Sequence, residues 1–133
     1  MVSKSLGEIA LRVNDLQKMR AFYEDVVGLK LLNDKIPGAI FLKVADAVEG
    51  HPQFLALFDR SVEVGPERTT LDHFAFLIDL SDYESEKRRL EELGIDVFPK
   101  VFPEPKWRAI FFYDPEGNLV EFVCYDPEVA PSP

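Results

Sequence analysis

The stretch WRAIFFYDPEGNLVEFVC, residues 107–124, decides the architecture. Trp107 to Tyr113 and Leu119 to Cys124 are rich in aromatic and β-branched residues and read as two strands. Between them, Asp114-Pro115-Glu116-Gly117 suits a type I turn followed by a left-handed glycine bulge, which makes the pair a hairpin with Phe111 opposite Glu121. Alternation then puts Trp107, Ala109, Phe111, Tyr113 and Glu121 on one face, and Val120, Phe122 and Cys124 on the other.

Working outward, the residues before this hairpin contain a strand, Leu71 to Ile78, and a helix. Ser81 with Glu84 three residues on forms a capping box, and Gly94 closes the helix. Ile95 to Phe98 supplies another strand. Pro99 to Lys106, with three prolines, reads as an extended surface loop. The first half of the chain repeats this order. Leu6 to Val13 is a strand with Ile9, Leu11 and Val13 on its apolar face, and Leu16 to Val27 is a helix that Gly28 ends in a left-handed cap. Leu29 to Leu32, Ala39 to Val44 and Phe54 to Phe58 are strands, separated by Pro37-Gly38 and by a turn at Glu49-Gly50-His51-Pro52. Glu8 and His73, and likewise Ala56 and Glu121, are each separated by 65 positions, so the halves share one register.

The fold expected is α+β: two βαβββ modules, residues 1–60 and 71–126, joined by a connector at 61–70 and followed by a tail at 127–133. A four-stranded sheet covered by one helix leaves its other face concave and open, so the two modules are expected to pair into a curved sheet around a central cavity. By strand parity Glu8, His73 and Glu121 all turn away from the helix-facing stripes and toward that cavity. A carboxylate or imidazole on a sheet face is costly to desolvate without compensation, and a divalent cation would provide it. Against this, a lone histidine on a strand is commonly a satisfied core or surface residue, and Glu8 could simply pair with a Lys or Arg.

Composition sets the outer bounds. The chain has 133 residues, of which 47% are hydrophobic, with eleven Phe, enough for one compact domain without disulfide staples. Lys and Arg number 15 against 24 Asp and Glu, a net charge of −9 that repels phosphate backbones and anionic membranes. Neither nucleic acid nor membrane is expected as a partner. One cysteine, Cys124, permits no internal disulfide, and the N-terminal residues lack the apolar core of a secretion signal, so a cytoplasmic location is expected. Cys124 falls on the helix side and reads as an inert buried thiol, and His51 reads as exposed. Lys87, Arg88 and Arg89 interleave with Glu84, Glu86, Glu91 and Glu92 as a solvated helix face.

Glu8-Ile9-Ala10-Leu11-Arg12-Val13-Asn14-Asp15-Leu16, Ala21-Phe22-Tyr23-Glu24-Asp25-Val26-Val27-Gly28-Leu29, Leu71-Asp72-His73-Phe74-Ala75 and the Asp114 to Phe122 segment together resemble the vicinal oxygen chelate superfamily. That group includes glyoxalase I, extradiol dioxygenases, fosfomycin-resistance enzymes, methylmalonyl-CoA epimerase and bleomycin-resistance proteins. The resemblance spans about residues 6 to 126. It implies one divalent metal (Mn, Fe, Ni, Mg or Zn) held from the first and fourth strand of each module, positions that here look like Glu8, Ala56, His73 and Glu121. Three of the four can bind a metal. Most metal-dependent relatives have His where this chain has Glu8; with a divalent ion, Glu8, His73 and Glu121 leave zero residual charge and therefore a weaker Lewis acid.

The resemblance further implies a small-molecule metalloenzyme in which Glu121 or Glu8 acts as general base. Isomerase or lyase chemistry is favoured over ring-opening oxygenation, because Glu8 spoils the two-His, one-carboxylate iron set. Arg12 matches an arginine that contacts anionic substrates in glyoxalase-like relatives, with an ion pair to acidic residues the competing reading. Trp107, Phe111 and Tyr113 would line the substrate pocket, although an aromatic stripe is also ordinary core. Chains of this size in the superfamily usually form homodimers, so the resemblance implies that Glu8 is supplied either by the same chain as the His73/Glu121 pair or by the other subunit. A second reading, from another class, is a metal-free, bleomycin-resistance-like protein that sequesters a cationic small molecule.

Overall fold

The computed structural model describes residues 2–62, 66–67 and 69–129, so Glu63, Val64, Gly65 and Arg68 of the expected connector, and the end of the expected tail, lie outside the described residues. The chain divides into two compact units, Met1–Arg68 and Thr69–Pro133. Each is a four-stranded mixed sheet with a helix, which makes the fold α+β with two βαβββ modules.

In the first unit the elements are β1 (Glu8–Arg12), α1 (Leu16–Ala21), β2 (Lys30–Asn33), β3 (Ala39–Val48) and β4 (His51–Phe58), with strand order β1-β4-β3-β2. The Asp15 carboxylate caps α1 by accepting from the Lys18 amide at 3.0 Å. The helix does not run as one α-helix to Val27, as its periodicity suggests. It widens into a π turn over Phe22–Val27 that ends at Gly28, where φ is +89°. Leu11, Val13, Leu42, Leu55 and Leu57 from the sheet and Met19 and Tyr23 from the helix are all buried, and each such side chain contributes roughly 1.5–3 kcal/mol through removal from water.

His51 and Pro52, expected in a turn, instead open β4. The turn is only Glu49-Gly50, both at positive φ, and the hairpin closes on the pair Val48 and His51. Pro52 is tolerated in this central strand because β1 starts its pairing with β4 only at Glu8 opposite Phe54, beyond the position that proline would leave without a donor.

The second unit comprises β5 (Phe74–Leu77), α2 (Tyr83–Glu92), β6 (Phe98–Phe102), β7 (Trp107–Tyr113) and β8 (Leu119–Tyr125), ordered β5-β8-β7-β6. Ser81 does not cap α2. The chain is already wound into a 3-10 turn at Leu80–Asp82, so Ser81 lacks the extended backbone that a capping hydroxyl needs. Nor is Pro99 in a loop; it lies within β6, an edge strand paired, among the described residues, only with β7, where a missing N–H need not break a ladder. Phe74, Val120, Phe122, Ile110 and Phe112 are buried, as are Tyr83 and Leu90 of α2. The Tyr83 hydroxyl donates to the Ala109 carbonyl at 3.1 Å and ties the helix to the sheet.

The two units share one strand register. Ala10 pairs with Ala56 in the parallel β1/β4 ladder, and Ala75 pairs with Glu121 in the parallel β5/β8 ladder, both pairs related by the 65-residue shift seen in the sequence. Among the described residues no helix is long and apolar enough to cross a membrane.

Candidate functional site

The β7/β8 hairpin builds one side of the site. Its turn is organised by Asp114, a buried residue whose Oδ1 accepts from the amides of Glu116 and Asn118, each at 2.9 Å, and whose Oδ2 accepts from Asn118 Nδ2 at 2.7 Å. Gly117, at φ +84°, takes the bulge position where a side chain would be strained. The resulting register puts Phe111 opposite Glu121.

Parallel pairing of β5 with β8 brings His73, one residue before β5, beside Glu121. His73 Nε2 lies 3.1 Å from Glu121 Oε1, and the Glu121 side chain is only 8% exposed. The ring packs edge-on against Phe111, with centroids 5.4 Å apart. Its other nitrogen, Nδ1, is 2.6 Å from Asp72 Oδ2. The imidazole thus sits between two carboxylates, and a neutral ring has one N–H to share between them. A surface cavity of about 340 Å³ opens beside this cluster, lined by Thr69, Asp72, His73, Tyr113 and Asn118 among others.

The remaining sequence-derived candidates are placed as follows. Tyr113 pairs with Leu119, reaches the same cavity and is half exposed. Trp107 pairs with Tyr125 at the far end of β7, four residues from Phe111 and so about 13 Å along the strand, out of reach of His73 and Glu121. Glu8 opens β1 in the first unit; it is exposed and has no hydrogen-bond or ion-pair partner among the described residues. Arg12 is half-buried with its Nε 3.9 Å from Glu67 Oε1, and Arg60 Nη2 reaches the same oxygen at 2.7 Å. Ala56 is fully buried and brings no donor. Among the described residues no group of three or more His, Cys, Asp or Glu side chains is gathered to hold a metal. The second unit therefore offers a nitrogen and a carboxylate, and any third donor must be added to them.

Two features escape a reading of the sequence. Strand alternation turns Asp72 away from His73; the Asp-His dipeptide just outside the aromatic run of β5 is the available signal. Asp114 reads as turn-forming, without its role in holding the hairpin from inside. Elsewhere, burial pushes the Cys124 thiol above its ordinary range, as an inert buried cysteine requires. The Asp126 carboxyl is held below the usual range by the hydrogen bond from Arg108 Nε at 2.6 Å and by the Glu128 amide.

Two βαβββ units, the second with a His and a Glu brought together by its first and last strands, define the class. The profile of the Glyoxalase/Bleomycin resistance protein/Dioxygenase superfamily matches residues 5–122, and the chain belongs to that superfamily. It is 29% identical over 118 residues to glutathione transferase FosA of Serratia marcescens, an alignment covering 89% of this chain and 79% of that one. It is 27% identical to metallothiol transferase FosB of Lysinibacillus sphaericus, covering 92% of this chain and 83% of that one. A crystal structure of lactoylglutathione lyase from Agrobacterium tumefaciens superposes with a TM-score of 0.70 at 27% identity, covering 92% of this chain and 94% of that one.

Proposed function

We propose that this protein is a divalent-metal-dependent enzyme acting on a small molecule, with Glu8, His73 and Glu121 as the metal ligands. The observation that carries the reading is the 3.1 Å separation of His73 Nε2 and Glu121 Oε1. Two ligand atoms on adjacent vertices around a cation, each about 2.1 Å from it, stand about 3.0 Å apart. The donor set, one imidazole and two carboxylates, suits Mn, Fe(II), Mg or Zn. Glu8 would complete it, supplied in a homodimer by the opposite subunit.

A bound divalent ion would supply Lewis acidity toward two neighbouring oxygens of the substrate. Glu121 Oε1 faces His73, which leaves Oε2 to take a substrate proton and return it; Glu8 is the second carboxylate able to do so. Phe111 fixes the ring of His73 and excludes water from that side. Tyr113, at the 340 Å³ cavity, presents a hydroxyl to the substrate. Isomerase, lyase or group-transfer chemistry fits two carboxylates and one imidazole better than ring-opening oxygenation, and the relatives named transferases and lyase support that preference.

Elemental analysis of protein purified without chelator, followed by Mn(II) titration of the wild type, His73→Ala and Glu121→Ala, tests the reading. Stoichiometric metal in the wild type, lost in both variants, is the expected result. The net charge of −9 favours the alternative, a metal-free protein sequestering a cationic small molecule. Absence of metal, with no rise in melting temperature on adding Mn(II) or Ni(II), would move the assignment there.

A further inference from the structure

We infer that Asp72 is a positioning residue for His73. Its Oδ2, at 2.6 Å, is the nearer of the two carboxylate oxygens and takes the ring Nδ1–H, which leaves Nε2, 3.1 Å from Glu121 Oε1, unprotonated and available to a cation held together with that carboxylate. Consecutive side chains in an extended strand project to opposite faces and cannot meet. Asp72 and His73 do meet, at 2.6 Å, because the backbone there is not yet in the ladder and β5 begins only at Phe74. A contact this short belongs to the charge-assisted class of hydrogen bonds. Phe111 abuts the ring at 5.4 Å between centroids, so the imidazole is fixed by an acceptor at one nitrogen and an aromatic wall at its side, with its remaining nitrogen 3.1 Å from Glu121.

Asp72 is 88% exposed, so holding its charge in this pose costs little desolvation. A second acceptor at the far nitrogen of a metal-binding histidine sets its tautomer and raises its donor strength. Asp72 does this from the adjacent position in sequence. The effect on metal affinity rests on the proposed reading of His73 as a ligand; the effect on the ring does not.

The test uses the full chain as wild type, Asp72→Asn and Asp72→Leu. There are only two histidines, His51 and His73, so nitrogen-15 NMR of the imidazoles at alkaline pH assigns the neutral tautomer of each. His73 of the wild type and of Asp72→Asn, which keeps an acceptor oxygen, should carry its proton on Nδ1. In Asp72→Leu the proton should move to Nε2 in a substantial fraction of molecules. Mn(II) titration, followed by the EPR signal of free ion, should show affinity falling about 10- to 100-fold in Asp72→Leu and much less in Asp72→Asn. Equal losses in the two variants would mean that Asp72 acts only through its charge, and an unchanged tautomer with unchanged affinity would mean that it does nothing for His73; either overturns the inference. If the wild type binds no Mn(II) while the tautomer still responds to Asp72→Leu, the positioning role stands and the metal reading falls.

Discussion

Removing the Asp114 side chain should loosen the hairpin that carries Glu121. Asp114→Ala deletes three hydrogen bonds, from the amides of Glu116 and Asn118 at 2.9 Å and from Asn118 Nδ2 at 2.7 Å. Bonds to a charged acceptor are each worth about 1.5–3 kcal/mol net. Part of this is recovered because the donors sit at a turn that water can reach, so the loss is about 3 kcal/mol in total. For a chain of this size that corresponds to a fall in Tm of about 10 °C, measured by circular dichroism. Asp114→Asn, which retains one acceptor oxygen, should lose about half as much. A fall of less than about 3 °C in Asp114→Ala would refute the claim that this carboxylate holds the turn.

Two further outcomes follow from the same structure. Cys124 is buried with its thiol pushed up by desolvation, so a thiol reagent should label it only as fast as the chain unfolds; rapid stoichiometric labelling of the native protein would contradict this. Asp126, whose carboxyl is depressed chiefly by the bond from Arg108, contributes stability that is present above the ordinary carboxylate range and is lost as pH falls through its lowered native value. Arg108→Leu should therefore move the acid-unfolding midpoint to higher pH, and coincident midpoints for variant and wild type would show that the pair does not bear on acid stability.

Much of this was legible because the chain says the same thing twice. The 65-residue period, the Gly28 and Gly94 helix ends and the Asp114 to Gly117 turn are local signals with local causes, and most elements lie close to their expected positions; β6 is displaced, starting at Phe98 where the expected Ile95 to Phe98 strand ends. Misreadings fell where tertiary context outweighed local chemistry. Pro99 suggested a loop, yet an edge strand has a free side; His51-Pro52 suggested a turn, yet two positive-φ residues close it earlier. Arg12 reads as an anion-binding residue or as an ion-pair member, and Glu67, distant in sequence, lies 3.9 Å from its Nε. Asp72 was hidden because alternation is the rule that strand reading depends on, and it breaks one residue before β5.

The parallel β5/β8 ladder has an evolutionary consequence. His73 and Glu121 hang from neighbouring strands locked by backbone bonds, while Thr69 and Asn118 at the cavity belong to the segments before β5 and before β8. Substitutions in those flanking segments can reshape the cavity without disturbing the spacing of the pair. On the proposed reading of the site, reactivity and selectivity are thereby separately editable in this half of the chain.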